Sequence, residues 1–519
     1  MARLALLSTS DKTGLVKLAT HLVEDFGFEL ISSGGTANAL AEAGLSVTKV
    51  SDYTGSPEIL GGRVKTLHPR IHGGILARLS LAEDQQDLTD NDIRPFDLVV
   101  VNLYPFEQTI AKSGVTLPEA IEQIDIGGPT LIRAAAKNYD YLTVLCDPGQ
   151  YDGYLEQLQQ QDGTVTPEFR RRCALQAFNH TATYDQAITQ YLTQEAIADE
   201  IDLPIPQQFA LSGRPKQTLR YGENPHQPAT WYQHSTEASG WATAEKLQGK
   251  ELSYNNLVDL EAARRIITEF PEEQGPAAAV LKHTNPCGAA LGDSVKEAYE
   301  KAFNADSVSA FGGIVALNQS IEAETATALT QTFLECVVAP GCDPEAQAIL
   351  ESKKNLRVLI LHDLAQGPSQ TVKTIAGGFL VQNADDVVED PSQWQIVTEH
   401  KPDVAQLEEL LFAWRIVKHV KSNAIVISRD RATVGVGAGQ MNRVGAVKIA
   451  LEQAGEQVRG ATLASDGFFP FDDSVRTAAA AGVTAIIQPG GSIRDQDSIN
   501  AANELGLIMV FTGLRHFLH

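Results

Sequence analysis

The amino-acid sequence predicts an α/β protein built from two regions, each with a sheet covered by helices. Three observations support this fold class. The chain has 519 residues, more than the ~100–200 residues that one domain usually contains. Its hydrophobic fraction of 43% is sufficient for several cores. Short apolar runs without polar alternation, typical of strands buried on both faces, recur between segments of helical periodicity.

The first region is predicted to hold a parallel sheet. Its strands are expected at residues 4–7, 28–32, 98–102 and 141–145. Its helices are expected at residues 15–25, 36–43 and 167–198. Residues 202–208 contain two prolines and no periodicity. We therefore place the linker there and predict domains at residues 1–200 and 201–519.

The second region again alternates strand and helix patterns. Its strands are expected at residues 278–281, 313–317, 424–427, 434–437, 484–487 and 507–511. The region is long enough for two subdomains. The sequence itself shows no clear internal repeat.

Charge and cysteine content exclude several classes of protein. The formal net charge of −24 repels polyanions, and no basic run interrupts it, so we expect no nucleic-acid partner. The five cysteines form no Cys-x-x-Cys pair, which argues against a disulfide framework and a zinc ribbon. Asp11 and Lys12 interrupt the opening apolar stretch, and no run of about 18 apolar residues occurs. We expect a cytoplasmic protein without a signal peptide or membrane contact.

Two loops of the first region are typical of phosphate sites. Residues 8–14 and 32–36 each follow a predicted strand and open a helix, where backbone N–H groups and the helix dipole attract anions. Ordinary N-capping is the alternative for either loop alone. A third loop, residues 61–69, adds Arg63 and Lys65 on one side. The three loops together indicate an anion site.

Other polar residues accompany these loops. Asn102 and Tyr104 end a predicted strand, and Asp125 precedes a Gly-Gly-Pro sequence that suits the start of a helix. On that helix Arg133 and Lys137 are four residues apart and share a face. That pair is typical either of a site or of ordinary surface charge.

The second region contains an ammonium and an imidazole side by side. Lys282 and His283 end an apolar run, and residues 284–288 are not expected to continue the strand. Upstream, Arg220 and Tyr221 open a turn containing Gly and Pro, with a guanidinium suited to anions. Each feature alone is more often a solvated rim or a turn, but the two together indicate an active site. The glycine-rich residues 435–443 differ from the Rossmann spacing, so no dinucleotide is inferred.

Longer motif strings resemble those of a known family. The strings are residues 8–14 (Ser-Thr-Ser-Asp-Lys-Thr-Gly), 219–227 (Leu-Arg-Tyr-Gly-Glu-Asn-Pro-His-Gln), 282–288 (Lys-His-Thr-Asn-Pro-Cys-Gly) and 514–517 (Leu-Arg-His-Phe). They resemble the signatures of the PurH family of bifunctional purine-biosynthesis enzymes, which join AICAR transformylase to IMP cyclohydrolase. The resemblance implies an α/β first domain similar to methylglyoxal synthase. It also implies a larger second region of two three-layer subdomains related to cytidine deaminase.

In the first domain the resemblance implies a nucleotide site. The residues implied to line it are Ser10, Asp11, Lys12, Ser33, Gly34, Gly35, Thr36, Arg63, Thr66, Asn102, Ile126 and Gly127. Closing formyl-AICAR to IMP needs proton donors and acceptors but no metal. We assign proton transfer to Lys137, polarisation of the formyl oxygen to Lys65 and Tyr104, and orientation of the amide to Asp125.

In the second region the resemblance implies a formyl-transfer site. The reaction needs a base near the AICAR amine and a stabiliser for the tetrahedral oxyanion, and His283 and Lys282 match these needs. Asn423 is implied to position the reacting groups. The residues implied to bind substrate are Arg220, Tyr221, Phe311, Gly312, Glu335, Arg443 and Arg515. Those implied to contact the folate are Val444, Phe468 and Asp473.

The resemblance also implies the small molecules and the assembly. 10-Formyltetrahydrofolate serves as co-substrate and formylates AICAR, and the formyl-AICAR product is cyclised to IMP. No catalytic metal is expected. The family relation implies a homodimer whose transformylase site takes residues from both subunits.

Other functions stay open on the sequence alone. Residues 285–287 (Asn-Pro-Cys) are similar to part of a zinc deaminase motif, but Ala290 stands where the second cysteine would be, and no His-x-Glu precedes it. A methylglyoxal-synthase-like domain can also be an effector-binding module, although Lys65, Tyr104 and Lys137 supply chemistry that binding does not require. Loss of activity in one half is a third alternative.

Overall fold

The chain divides into two compact units, Met1–Ser212 and Gly213–His519. The structure is a computed structural model that describes residues 2–112, 114–198, 209, 211, 213–234 and 238–519. The predicted linker, residues 202–208, lies outside the described residues. No helix in the described parts of the chain is long and apolar enough to cross a membrane.

A five-stranded sheet forms the centre of the first unit. Its strands are β1 (Arg3–Thr9), β2 (Phe28–Ser32), β3 (Val47–Lys49), β4 (Leu98–Asn102) and β5 (Thr143–Leu145). They lie in the order β3-β2-β1-β4-β5, and every neighbouring pair is parallel. The predicted parallel sheet is therefore confirmed, and β3 is a strand that the sequence did not reveal.

Ten helices accompany this sheet in the described residues of the first unit. They are α1 (Leu15–Glu24), α2 (Gly34–Glu42), α3 (Val50–Thr54), α4 (Pro69–Leu76), α5 (Ala82–Asp90), α6 (Phe106–Ile110), α7 (Leu117–Glu122), α8 (Gly127–Lys137), α9 (Tyr151–Gln160) and α10 (Pro167–Ala198). Strand β4 is buried along its whole length, as expected for a sheet covered on both faces. Leu15, Leu18 and Leu22 of α1 recur at helical spacing and are fully buried in the core of this unit.

The second unit is built around a twelve-stranded sheet with two separate hairpins. Its strands are β6 (Arg214–Leu219), β7 (Ala229–Gln233), β8 (Glu245–Gln248), β9 (Ala277–Lys282), β10 (Asn285–Leu291), β11 (Ile314–Leu317), β12 (Cys336–Ala339), β13 (Arg357–Ile360), β14 (Gln370–Ile375), β15 (Gly378–Asn383), β16 (Gln395–Ile396), β17 (Ile425–Arg429), β18 (Ala432–Gly437), β19 (Thr462–Ser465), β20 (Ala485–Gln488) and β21 (Ile508–Phe511). The large sheet has the order β16-β21-β20-β19-β17-β18-β10-β9-β11-β12-β13-β8, and β6-β7 and β14-β15 are the hairpins.

The helices of the second unit lie on both faces of the large sheet. They are α11 (Tyr254–Ile267), α12 (Val295–Asn304), α13 (Ser307–Ala310), α14 (Ala323–Leu329), α15 (Pro344–Leu350), α16 (Val404–Val417), α17 (Arg443–Ala454), α18 (Asp473–Ala481) and α19 (Asp495–Glu504). Helices α11 and α16 share one core with the sheet, whereas α12 and α17 belong to two further cores. Alternate residues of β9 enter different cores, Ala279 the first and Val280 the second. The unit therefore has three layers.

The large sheet consists of two repeats with the same topology. In the first, hairpin β9–β10 is followed by β11, β12 and β13, which are parallel to one another and antiparallel to β9. In the second, hairpin β17–β18 is followed by β19, β20 and β21 in the same arrangement. Strands β10 and β18 join the repeats through an antiparallel pair at Ala290 and Ala432. The relation of each repeat to the cytidine-deaminase fold stays a prediction.

Glycines in β18 allow a helix to approach the sheet closely. A β-carbon at Gly435 would lie 2.1 Å from the carbonyl oxygen of Ala450, and one at Gly437 would lie 2.0 Å from that of Ala446. Both carbonyls belong to α17. The two glycines at the start of the glycine-rich residues 435–443 therefore allow α17 to pack closely on β18.

Strand β9 ends at Lys282, as predicted, but residues 285–288 form the beginning of a new strand that the sequence did not reveal. Lys282 pairs with Asn285, and the chain returns at once as β10. His283 and Thr284 form the tight turn between the strands, with φ values of 53° and 62°, as a type I′ turn requires. An irregularity between Pro286 and Gly288 accommodates the proline, which cannot donate a ladder hydrogen bond.

His516 fixes the C-terminal segment of the second unit. Its backbone N–H donates to the Asp466 carbonyl at 3.1 Å. Its Nδ1 and Nε2 lie 2.7 Å from Asp385 and 2.9 Å from Glu389, and its ring packs on Trp414. Burial lowers the pKa of His516, but hydrogen bonds to the two carboxylates outweigh burial and raise the pKa to about 9.

We expect His516→Gln to lower the melting temperature most at mildly acidic pH. Because the folded-state pKa exceeds the ordinary value of 6.5, this pairing contributes fully below that value and is lost as pH rises toward about 9. Thermal unfolding of both proteins from about pH 6 to about pH 9.5 should show a difference that shrinks with pH. His400→Gln, at an exposed histidine, is the control. A difference that is constant over this range would contradict the assignment.

Candidate active sites

A cavity of about 700 Å³ lies in the first unit, where β1, β2 and β4 end. The carboxyl ends of parallel strands are the usual position of a ligand in such sheets. Most of the predicted residues line this cavity: Ser10, Lys12, Ser33, Gly34, Gly35, Thr36, Arg63, Lys65, Thr66, Asn102, Tyr104, Asp125, Ile126 and Gly127.

Asn102 connects the first loop to the end of β4. Its Oδ1 accepts the N–H groups of Ser10 at 2.6 Å and Asp11 at 2.9 Å, and its Nδ2 donates to the Asp11 carbonyl at 2.8 Å. Thr36 connects the second loop to the end of β1, because its hydroxyl both accepts from the N–H and donates to the carbonyl of Thr9, each at 3.0 Å. The two loops are therefore held side by side.

Helices α1 and α2 begin at these loops without side-chain caps. The N-cap of α1 is Gly14, and the side chain of Ser33, the N-cap of α2, accepts no backbone N–H of the helix. N-capping therefore does not explain the side chains of these loops. Gly34 and Gly35, at the start of α2, line the cavity, so their backbone faces the space where an anion would bind.

Asp11 does not line the cavity, although the prediction includes it. Its Oδ1 accepts the Thr13 N–H at 2.8 Å, and hydrogen bonds from the Thr13 hydroxyl and N–H lower the pKa of Asp11. The carboxylate therefore shapes the loop that carries Ser10 and Lys12.

The cations of the third loop lie beside carboxylates. Arg63 pairs with Glu122 at 2.8 Å, and Lys65 Nζ lies 3.6 Å from Glu58. A β-carbon at Gly34 would lie 3.2 Å from Lys65 Nζ, so the ammonium contacts the start of α2. A cation beside a helix N-terminus is suited to a phosphate or a developing oxyanion.

Asp125 places a half-buried carboxyl at the start of α8. Its Oδ1 accepts the Gly128 N–H at 2.8 Å, and its own N–H donates to the Tyr184 hydroxyl at 2.8 Å. Burial raises the pKa of Asp125, while hydrogen bonds from Gly128, Tyr104 and Gly127 oppose the rise. The carboxyl is thus fixed beside Tyr104.

The structure does not bring Lys137 to this cavity. Helix α8 begins with Gly127, which lines the cavity, and ends with Lys137. A rise of 1.5 Å per residue separates the two ends by about 15 Å. Lys137 is exposed, and direct proton transfer by this residue gains no support from the geometry of one chain.

A second cavity, of about 910 Å³, lies in the second unit. Seven predicted residues line it: Arg220, Tyr221, Lys282, His283, Phe311, Gly312 and Glu335. Lys282 and His283 enter at the end of β9, whereas Arg220 and Tyr221 come from the end of β6. The ammonium, the imidazole and the guanidinium therefore share one space.

Neighbouring groups hold the cations of this cavity in place. Lys282 Nζ donates to the Phe311 carbonyl at 2.8 Å. The Arg220 guanidinium lies 4.7 Å from the Tyr221 ring centroid and donates to the Tyr221 hydroxyl at 2.7 Å. Neither Lys282 nor Arg220 forms an ion pair with a carboxylate among the described residues, so both can still bind an anionic ligand.

Residues that the sequence analysis missed also line the second cavity. Asn256 donates to Glu335 at 2.9 Å, and Arg357 lies 3.6 Å from the same carboxylate. Asp259 accepts the Thr284 N–H at 2.8 Å. Asn256 and Asp259 are three apart on α11 and share a face, a polar spacing that could have indicated them.

The other predicted residues of the second unit form a separate group. Arg443 is buried and pairs with Asp466, and Asn423 Nδ2 donates to the Gln440 carbonyl at 2.7 Å. The remaining members are Val444, Phe468, Asp473 and Arg515. This group lies around the end of β19 and the start of α17, and no member lines the second cavity.

Both groups nevertheless lie at the same edge of the large sheet. Strand β9 ends there, and Lys421, just before β17, donates its N–H to Asn285 at 3.2 Å. Strands β19, β20 and β21 end at this edge because β19 is antiparallel to β17. The strand register therefore aligns the two groups while the width of the sheet separates them.

Two cavities lined by cations and titratable groups define an α/β enzyme for anionic small molecules. The family model of the AICARFT/IMPCHase bienzyme matches residues 135–453, and that of the MGS-like domain matches residues 14–130. The chain belongs to the AICARFT/IMPCHase bienzyme family. It is a bifunctional enzyme of purine biosynthesis, with AICAR transformylase and IMP cyclohydrolase activities.

Curated relatives are similar over their full length. Proteins called bifunctional purine biosynthesis protein PurH from Nostoc punctiforme and from Synechocystis are 70% and 69% identical to the chain over 519 residues, with all of each protein covered. A structure described as the crystal structure of ForH is 35% identical and covers 37% of this chain and 97% of its own, with a TM-score of 0.35.

We expect Asn102→Ala to weaken nucleotide binding in the first unit. The change removes the acceptor for two loop N–H groups, which should cost about 1–3 kcal/mol of stability and raise the dissociation constant for IMP at least tenfold. Calorimetric titration with IMP measures the effect. Asn91→Ala, where the side-chain amide donates to the exposed Asp87 carbonyl at 2.8 Å, is the control. Equal affinities for the two variants would contradict the role of Asn102.

Proposed function

We propose that the second unit transfers a formyl group from 10-formyltetrahydrofolate to AICAR and that the first unit cyclises the product to IMP. The observation that carries this proposal is the shared cavity of Lys282, His283 and Arg220. It combines an oxyanion stabiliser, a proton acceptor and a phosphate-binding group, which are the three groups that formyl transfer to a nucleotide amine requires. The predicted domains, residues 1–200 and 201–519, would then each have one activity.

Formyl transfer proceeds through a tetrahedral intermediate. The AICAR amine attacks the formyl carbon, and His283 takes the amine proton and returns it to N10 of the departing tetrahydrofolate. Lys282, oriented by the Phe311 carbonyl, donates a hydrogen bond to the oxyanion. One C–N bond forms as another breaks, so the step has no change of oxidation state.

Arg220 and Tyr221 bind AICAR in this scheme. The guanidinium has no carboxylate partner among the described residues, and its planar fork can hold a phosphate through two hydrogen bonds. Phe311, Gly312 and Glu335 complete the nucleotide side of the cavity. Positioning of both substrates supplies a large part of the rate enhancement in such reactions, up to ~7–11 kcal/mol.

Cyclisation takes place in the first cavity. The carboxamide nitrogen of formyl-AICAR attacks the formyl carbon, and water then leaves. Lys65 and Tyr104 polarise the formyl oxygen, and Asp125 orients the amide. The uncapped start of α2 binds the phosphate. Proton transfer by Lys137, which we assigned from the sequence, would need a route beyond the contacts of a single chain.

A homodimer would complete the transformylase site. Asn423, Arg443, Phe468 and Arg515 lie at the same sheet edge as His283 but outside its cavity. A second copy that places its own group at that cavity would unite the nucleotide and folate residues.

We expect a mass of twice 56.0 kDa by light scattering in active preparations, and a purely monomeric active enzyme would contradict this arrangement. We also propose a cytoplasmic location.

The reaction is tested with the purified chain, AICAR and 10-formyltetrahydrofolate. We expect tetrahydrofolate and IMP to form together. His283→Ala should lower formyl transfer at least 100-fold because it removes the proton carrier, while cyclisation of supplied formyl-AICAR stays within twofold. Lys65→Ala should instead lower the cyclisation of formyl-AICAR and leave formyl transfer within twofold.

Two control variants sharpen this experiment. His362→Ala changes an exposed histidine of the second unit and should leave both steps unaltered. Lys137→Ala should slow cyclisation less than Lys65→Ala, because Lys65 lines the cavity and Lys137 does not. If His283→Ala left formyl transfer at the parent rate, the assignment of the second cavity would fail.

A further inference from the structure

The turn that carries His283 has a backbone conformation that its residues disfavour. His283 and Thr284 both have positive φ values, and type I′ turns prefer Asn-Gly at these positions. Thr284 is β-branched, which makes the left-handed region especially unfavourable. A strained turn at a reactive side chain persists only if its surroundings hold it.

One carboxylate lies where it can hold this turn. Asp259, on α11, accepts the Thr284 N–H at 2.8 Å. Burial raises the pKa of Asp259, and hydrogen bonds from the N–H groups of Thr284 and His283 oppose that rise. The carboxylate thus binds the backbone of the turn at Thr284 and lies close to His283. It lines the same cavity as His283.

The second repeat contains the same arrangement without the reactive pair. Its hairpin turn is Asp430-Arg431, also with positive φ values, and Glu409 accepts the Arg431 N–H at 2.7 Å. Asp259 and Glu409 are each the sixth residue of a 14-residue helix, α11 or α16. The recurrence shows that a helix carboxylate bound to the turn belongs to the architecture of the repeat.

The two turns differ in their surroundings. The Asp430-Arg431 turn lies at the opposite edge of the sheet, where the Arg431 carbonyl accepts the Leu291 N–H at 2.9 Å. The His283-Thr284 turn faces the cavity of the transformylase site. The same hydrogen bond between a helix carboxylate and the turn, which we call the clamp, therefore supports the fold in one repeat and a reactive side chain in the other.

We infer that Asp259 is a positioning residue for formyl transfer: its carboxylate holds the strained His283-Thr284 turn so that Lys282 and His283 point together into the cavity. This inference rests on the proposed function for its kinetic consequence. Because the Asp259 carboxylate accepts a hydrogen bond from the turn, its effect on the reaction passes through His283 and Lys282.

The test compares Asp259→Ala with Glu409→Ala. We expect Asp259→Ala to lower the kcat of formyl transfer at least 30-fold with the KM for AICAR within threefold of the parent. Cyclisation by the same polypeptide should stay within twofold. Glu409→Ala, which removes the equivalent clamp from the other repeat, should leave formyl-transfer kcat within threefold. Equal kcat losses in both variants, or an unchanged kcat in Asp259→Ala, would overturn the inference.

A second change tests whether strain is the cause. Thr284→Gly relieves the left-handed conformation, so adding it to Asp259→Ala should restore kcat at least fivefold. A double variant no faster than Asp259→Ala would refute the role of strain. If Asp259→Ala does not fold, Asp259→Asn replaces it. That variant keeps a weaker acceptor and should lose three- to tenfold in kcat, and full activity would overturn the inference.

Hydrogen exchange tests the clamp independently of activity. In Asp259→Ala or Asp259→Asn, amides in a peptide covering residues 282–287 should exchange at least threefold faster than in the parent, while those in residues 428–433 should not change. Unchanged exchange at residues 282–287 would overturn the clamp even in an active enzyme. If the parent chain showed no formyl transfer but the Asp259 variants still exchanged faster at residues 282–287, the result would support the clamp and contradict only the proposed function.

Discussion

The antiparallel pairing of β10 with β18 is the constraint on which the second unit depends. Joined at Ala290 and Ala432, the two repeats run in opposite directions within one sheet. The end of β9 and the start of β17 consequently meet at the same edge, where Lys421 contacts Asn285. Residues distant in the chain, from Lys282 to Arg515, are thereby aligned along this edge. A different pairing of the repeats would place the group that contains Asn423 and Arg443 at the other edge of the sheet.

The repeats share their architecture but differ in chemistry. Each has a helix carboxylate bound to a strained hairpin turn, Asp259 in one and Glu409 in the other. Only the first turn carries a histidine next to a lysine. An internal repeat of this kind separates what the fold requires from what the reaction requires, because the same contact occurs once beside the cavity and once away from it.

The first unit uses its backbone more than its charges to form a site. Asn102 and Thr36 hold two loops together through hydrogen bonds to backbone groups. Helices α1 and α2 start there without side-chain caps, so oriented N–H groups meet an ammonium from Lys65. Such a site attracts an anionic substrate in a protein of strongly negative net charge, because nearby dipoles and cations outweigh distant charges.

The sequence by itself determined the parallel sheet of the first unit, the bounds of α10, and the motif residues of both cavities, because hydrophobic periodicity and local turn chemistry depend on neighbouring residues. It predicted the end of β9 but did not reveal that the Pro-containing string after it forms strand β10, nor that Lys137 lies at the far end of α8 from the cavity. Only the tertiary structure decided the twelve-stranded sheet, the internal repeat and the contact of Asp259 with Thr284. These depend on strand pairing between distant segments, which no local pattern specifies.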